Sequence, residues 1–368
     1  FGLDDGLQYT DLTIAQGTGS NSSDTIIKVG SEYLTILTGI DVSNINYYDF
    51  VSTATGNQTL TGTSGNDVLL GASGVDTVNS GTGSDIVITY GGDDAITVDG
   101  VGNKTIDGGT GTNTLSINYS GLTGLSDFTV GAVSTSDGAN WTLTASNSDV
   151  ITFKNIIDYT YTSGSAGYWD GYVTVASKSY RFVSDMRHDH SPFSGAYGSV
   201  QAFVYESGSS VEVVLTEGGK WLPQYRMGGY KDFSFDGSET FSIYGSSSSE
   251  VMFGGYQADT IIAGDGNDFI FAGDGADNIN ASAGNDVVYT SLAGLTEDTA
   301  ISGGTGSNTL AFNKPGESGG WDNESYSAVN FNLGTDLGIA TDFHNIVGSN
   351  SDETLTGDSA ANVIIGGS

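Results

Sequence analysis

The sequence predicts an all-β chain in which parallel solenoid windings of about 18 residues per turn are interleaved with β-rich modules of cap or sandwich-like type. Three observations carry that expectation. Nonapeptides repeat in phase, with an acidic residue at the sixth position and a large aliphatic at the eighth. Glycine fills 56 of 368 positions and proline only 3, a balance unlike collagen or a Pro-rich linker. Between the repeats lie alternating apolar and polar runs bounded by Gly, Asn and Ser, as half-buried strands require.

From Gly62 the chain reads GTSGNDVLL, GASGVDTVN, SGTGSDIVI and TYGGDDAIT. The acidic series is Asp67, Asp76, Asp85 and Asp94, beside Leu69, Val78, Val87 and Ile96. A weaker copy, TATGNQTLT, precedes them, and after a one-residue slip Lys104 and Asn113 take the acidic position, with Ile106 and Leu115 as apolar partners. The pattern returns from Gly245 as GSSSSEVMF, GGYQADTII, AGDGNDFIF, AGDGADNIN and ASAGNDVVY. There the acids are Glu250, Asp259, Asp268, Asp277 and Asp286, beside Met252, Ile261, Ile270, Ile279 and Val288. A third stretch, GSNSDETLT then GDSAANVII, carries Glu353 and Asn362. Generic Gly/Asp-rich low complexity would keep no phase between acid and aliphatic.

Each unit divides into a six-residue loop and a three-residue strand. Side chains alternate along a strand, so only the middle one of the three, the aliphatic, points inward. Early glycines permit the sharp reversal between strands. Two units complete a turn that buries only two aliphatics, too little to offset backbone ordering of roughly 1–2 kcal/mol per residue. A second cohesive element is required, and the acids supply it. Units on one side recur every second repeat, so Asp67 stacks near Asp85, Asp76 near Asp94, Glu250 near Asp268, Asp259 near Asp277 and Asp268 near Asp286. Two carboxylates with glycine-loop carbonyls form an all-oxygen cage of the kind Ca²⁺ takes, whereas Mg²⁺ demands stricter octahedral geometry. The expected ligands are Asp67, Asp76, Asp85, Asp94, Glu250, Asp259, Asp268, Asp277, Asp286 and Glu353. They suggest several Ca²⁺ ions, with strong sites on the order of five, whose binding energy becomes folding energy.

AGDGNDFIF and AGDGADNIN resemble GGxGxDxUx, with U a large aliphatic, the nonapeptide of repeats-in-toxin (RTX), or hemolysin-type, proteins. The direct likeness covers roughly 150 of the 368 residues. It implies a calcium-binding parallel β-roll, type I secretion, folding after exit into calcium-rich surroundings, and a bacterial protein that is secreted, extracellular or at the cell surface. The ligand role carries over only where an acid is retained. Lys104 places a cation where a ligand belongs and is expected to end the stack on its side, while Asn113 and Asn308 offer only a neutral oxygen. Glu250 and Glu353 are longer than Asp and are expected to bind loosely. The similar closings DGGTGTNTLSIN (107–118) and SGGTGSNTLAFN (302–313) read as roll ends and as internal duplication.

The expected organisation runs from a β-rich cap at 1–55 through a first roll at 56–118, an aromatic β-rich insertion at 119–238 and a second roll at 239–313, to a linker and the start of a third roll at 314–368. The first segment, with strands at Tyr9–Gln16, Thr25–Val29 and Tyr33–Thr38, resembles the segment that follows an RTX roll, which implies another roll upstream. Both ends read as cuts within a longer polypeptide. Within 119–238, strands are expected at Trp141–Ala145, Tyr172–Ala176, Ser179–Val183, Val200–Tyr205 and Val211–Thr216.

With 44 acidic against 10 basic residues and a formal charge of −34, the chain lacks the basic footprint that nucleic acid requires. It has no cysteine for disulfides or thiolate metal sites, and no apolar run of about 18 residues to span a bilayer. Catalytic constellations are weak. His188-Asp189-His190 could begin a zinc site but lacks an evident third ligand. Gly316-Glu317-Ser318-Gly319-Gly320 fits G-x-S-x-G without its strand-to-helix setting, and no H-E-x-x-H occurs. The expectation is a structural segment rather than an enzyme, one that self-associates as part of a surface layer, filament or adhesin stalk. Two alternatives stand beside it. One is an export and folding appendage of a secreted enzyme or toxin. The other is a glycan-binding adhesin acting through 119–238, where six of the ten basic residues fall within Lys178–Lys231 among Trp169, Tyr180, Tyr197, Tyr205, Trp221, Tyr225 and Tyr230. The plain reading of that stretch is that its aromatics are core and its cations solvated.

Overall fold

The computed structural model describes residues 1–3, 7–135, 138–156, 158–160, 168–170, 172–184, 201–216, 220–221, 237–312, 329–349 and 353–366. The architecture is all-β, of the β-roll type, and its one α-helical turn among the described residues is Gly294–Glu297. The chain forms two units: Phe1–Phe128 with Ala132–Asp158 and Asp170–Tyr180, and Thr129–Gly131 with Tyr159–Trp169 and Arg181–Ser368.

In the first unit the repeats make two parallel ladders. Thr59–Thr61, Thr77–Asn79, Ala95–Asp99 and Thr114–Asn118 form one, with Leu60 opposite Val78, Val78 opposite Ile96 and Ile96 opposite Leu115. Val68–Leu70, Asp85–Ile88 and Lys104–Asp107 form the other, with Leu69 opposite Val87 and Val87 opposite Ile106. Partners are 18 residues apart until the slip, where Ala95 meets Thr114. The residue two after each position-six residue faces inward, as alternation demands: Leu69, Val78, Val87, Ile96, Ile106 and Leu115 are all in the core.

Lys104 does not end its ladder, contrary to expectation. Its strand pairs with Asp85–Ile88 on one side and with Val150–Lys154 on the other. Residues beyond the repeats likewise extend the first ladder, where Tyr172–Val175 pairs in parallel with Thr114–Asn118. A rung needs only an inward apolar side chain and a matching backbone, and Ile151, Phe153, Val173 and Val175 provide that without an acidic loop.

Residues 1–52 make an antiparallel sheet of Leu12–Gln16, Thr25–Val29 and Glu32–Leu37, plus the parallel pair Gly2–Leu3 and Val51–Ser52. Leu3, Ile27 and Phe50 pack on Leu70 and Ile88, which point outward from the second ladder. Gln8 Oε1 accepts the Leu70 N–H (3.0 Å), so an otherwise open strand edge is sealed. This segment thus packs on the outer side and first strand of the second ladder.

The second unit repeats the scheme. Thr240–Tyr244, Thr260–Ile262, Asn278–Asn280, Ala300–Ser302 and Ala340–Thr341 form one parallel ladder, continued by the hairpin Gln201–Ser207 and Ser210–Leu215. Lys220–Trp221, Val251–Phe253, Phe269–Phe271, Val287–Tyr289, Asn308–Ala311, Phe343–Val347 and Ile364–Ile365 form the other. Their inward rows, Ile243, Ile261, Ile279 and Ile301 with Met252, Ile270, Val288 and Leu310, share one apolar core. On the outer face Phe253, Phe271 and Tyr289 stack nearly parallel at 4.1 and 4.3 Å, the aromatic counterpart of the 18-residue register. The helical turn Gly294–Glu297 inserts four residues, so Val287 meets Thr309 and Asn278 meets Ala300.

All five strands expected within 119–238 are present, as Gly138–Ala145, Tyr172–Val175, Lys178–Ser184, Gln201–Ser207 and Ser210–Leu215. Tyr180 is core, its hydroxyl oxygen accepting the Leu125 N–H. His188, Asp189, His190, Tyr197, Tyr225, Tyr230 and the Gly316–Gly320 segment lie outside the described residues.

Candidate metal centre

Successive loops lie against one another so closely that a β-carbon on Gly264 or Gly266 would strike Ser246 O or Ser248 O of the turn before. Both glycines are left-handed, at φ +90 and +133, a conformation that glycine enters without strain. In the same phase of the last loop Ser282 is held at φ 71. Relieving that strain outweighs the extra chain entropy of glycine, so Ser282→Gly is expected to stabilise by about 0.5 kcal/mol, read by denaturant titration in calcium. A loss of stability would show that the Ser282 hydroxyl has a structural partner.

The acid at position six of each loop in the two repeat blocks is buried, with Asp76, Asp268, Asp277 and Asp286 at 0 % exposure. One carboxylate oxygen of the upper, later residue in each pair accepts the backbone N–H of the residue stacked below it. Asp67 donates to Asp85 (3.0 Å), Asp76 to Asp94 (2.8 Å), Glu250 to Asp268 (2.8 Å), Asp259 to Asp277 (2.8 Å) and Asp268 to Asp286 (2.9 Å). Every stacked pair read from the sequence is therefore adjacent.

The second oxygen separates the acids into two classes. In the closed class it is satisfied by the N–H at position two of its own loop: Thr63 for Asp67 (2.6 Å), Ala72 for Asp76 (2.7 Å), Ser246 for Glu250 (3.1 Å), Gly255 for Asp259, and Ser349 for Glu353 (2.6 Å). In the open class, Oδ2 of Asp94, Asp268, Asp277 and Asp286 is buried and accepts no hydrogen bond. The difference lies in the backbone. Open loops have positive φ at positions two and four, as at Tyr90 and Gly92, Gly264 and Gly266, Gly273 and Gly275, or Ser282 and Gly284, and the closed loops do not. Positive φ at position two turns that N–H elsewhere: Ser282 N–H donates to Asn280 Oδ1 (3.0 Å) and Gly81 N–H to Asn79 Oδ1 (2.9 Å).

Asp298 shares the unbonded oxygen of the open class, although the helical turn Gly294–Glu297 before it has no positive φ, and the nine-residue phase does not mark it. It accepts the Asp277 N–H at 3.0 Å, and its own Oδ2 is buried without a partner. The inserted helical turn moves it out of the nine-residue phase, and the remaining signal is an acid shortly before the inward Ile301. Asn113 and Asn308 act differently from weak oxygen ligands. Each Oδ1 takes the backbone N–H of the acid below (Asp94 and Asp286, both 3.0 Å), and each Nδ2 donates to a loop carbonyl, Gly108 O at 2.7 Å and Gly303 O at 2.6 Å.

Burial, reinforced by the negative charges of Glu250, Asp286 and Asp265, pushes the Asp268 carboxyl up to about 8. Asp277 rises to about 8 through burial and the charges of Asp259, Asp298 and Asp274. Burial lifts Asp259 and Asp298 to about 6. Buried acids facing one another with unbonded oxygens need a cation or a proton.

The first unit displays which cation environment this loop builds. Lys104 Nζ donates to Gly81 O (2.9 Å), Gly83 O (2.7 Å) and Asp85 Oδ2 (2.6 Å), the oxygens of loop positions two, four and six. A positive charge is held there by oxygen alone, the donor set that suits a hard divalent cation. Among the described residues no three His, Asp or Glu side chains gather at one point, and a cage completed by backbone carbonyls does not need them.

Fold and site together define a repeat protein of the β-roll type that binds calcium in the loops of its parallel ladders. The comparison with known families agrees: the model described as RTX calcium-binding nonapeptide repeat (4 copies) matches residues 52–87, 70–101, 244–279, 253–288 and 347–368. Those repeats bind Ca²⁺ and are structural, not catalytic, elements. No curated protein matches the chain. Among the described residues no helix is long and apolar enough to cross a membrane.

Proposed function

We propose that this chain is a calcium-clamped structural segment of an extracellular assembly, its windings stiffened by Ca²⁺ and its copies associating into a surface layer or filament. The observation that carries the reading is the set of buried, unbonded carboxylate oxygens on Asp94, Asp268, Asp277, Asp286 and Asp298. Asp94, Asp268, Asp277 and Asp286, with the carbonyls at positions two and four of their loops, would hold the metal, and Asp298 would add a carboxylate from the rung above Asp277. Asp67, Asp76, Glu250, Asp259 and Glu353 instead have their second oxygens hydrogen-bonded within their own loops, and the first four tie one loop to the next through backbone N–H bonds. Bound Ca²⁺ would neutralise stacked acids and join consecutive turns. Assembly is supported by duplication of the ladder scheme and by the charge of −34, which keeps copies apart unless a divalent cation intervenes.

Sedimentation velocity and electron microscopy of the purified chain, in millimolar calcium and in excess chelator, test this. Ordered oligomers or filaments are expected only in calcium. Dispersed monomers in both conditions would reduce the role to that of a calcium-stiffened spacer.

A further inference from the structure

Lysine is rarely buried unless its charge is paired. Lys104 is 1 % exposed, yet its ammonium lacks nothing: its three N–H donors meet three oxygens. By register Lys104 is the residue stacked above Asp85, at the place where its counterpart above Asp268 is Asp286. The side chain thus stands in for a carboxylate of the upper rung, while its Nζ lies on the carbonyl and carboxylate oxygens of the lower loop. The charges balance in both arrangements. Two carboxylates with a divalent cation sum to zero, as do one carboxylate and one ammonium.

We infer that Lys104 is a built-in substitute for a calcium ion, closing the winding between Asp85 and Lys104 whether or not calcium is present. The inference rests on reading the open loops as calcium cages. It makes calcium dependence unequal along the chain. The first repeat block holds a lysine-filled cage beside the open oxygen of Asp94, whereas the second holds open oxygens on Asp268, Asp277, Asp286 and Asp298 and no lysine in a loop. An ordinary buried ion pair would not predict that replacing the lysine by an acid creates a metal site.

Native mass spectrometry of the full chain in calcium, with Lys104→Asp beside the wild type, reads the number of ions bound. One additional Ca²⁺ in the variant is expected. Hydrogen exchange in chelator gives a second readout. Amides of Asp85–Ile88 and Lys104–Asp107 should stay protected in the wild type and lose protection by about 100-fold in Lys104→Met, which removes the charge at similar volume. Amides of Phe269–Phe271 should lose protection in both proteins. A folded Lys104→Asp that gains no ion would overturn the inference. So would first-block amides that exchange in chelator as fast as those of the second block. Failure of the underlying calcium reading has a different signature: a wild type that binds no ion, with second-block protection unchanged by chelator.

Discussion

Transfer of the chain from millimolar calcium into excess EGTA near neutral pH is expected to melt the second repeat block, lowering its apparent Tm by more than about 15 °C. The inward rows of this block contribute one aliphatic per strand, as with Ile261 and Ile270, so apolar burial per turn is thin. What remains without metal is a stack of buried acids with unbonded oxygens. A site saturated at about 100 times its dissociation constant adds about 2.7 kcal/mol. Three such sites, at Asp268, Asp277 and Asp286, would add about 8 kcal/mol, comparable with the net stability of a whole domain. Circular dichroism and calorimetry with and without EGTA check this, and an unchanged transition would refute the clamp. The variant Asp277→Asn should move the two conditions in opposite directions. In calcium it should lose stability by about 2–3 kcal/mol through loss of an anionic ligand, and in EGTA it should gain, because a buried ionisable group is gone.

The repeat phase made the ladders legible from sequence, since one acid and one aliphatic every nine residues determine both register and inward face. The stacked pairs, such as Asp259 with Asp277, followed directly. The division into open and closed loops did not. It depends on the sign of φ at position two, which Tyr90 and Ser282 set positive although neither is glycine, while Gly255 occupies that position in a closed loop. Composition at one site is a weak guide when the neighbouring turn imposes the conformation. The closed loops of Asp67, Asp76, Glu250 and Asp259 are the opening pair of each block, and every later acidic loop up to Asp286 has positive φ at position two. Lys104 was legible as an anomaly, but its consequence was not, because a cation in an acidic series reads as a stop until its ammonium is seen on three oxygens. Asp298 was hidden by an insertion of a single helical turn.

In EGTA, acidification is expected to restore the second block, the reverse of ordinary acid denaturation. In the folded chain Asp268 and Asp277 hold their protons up to about 8, and Asp259 and Asp298 up to about 6. In the unfolded chain the same groups ionise near 3.9. Between these values the folded state binds more protons than the unfolded, so its stability falls as pH rises, by up to tenfold in the folding equilibrium per group and pH unit. Below about pH 4 both states are protonated and this penalty vanishes; above about 8 it is complete. Calcium inverts the trend, because the metal competes with protons for the same oxygens and its affinity rises with pH until the carboxyls are ionised. Thermal scans at a series of pH values, in EGTA and in calcium, should therefore cross: the EGTA midpoint falls from pH 5 to pH 8 while the calcium midpoint rises. Parallel curves would mean that the buried acids do not face one another across a shared cation site.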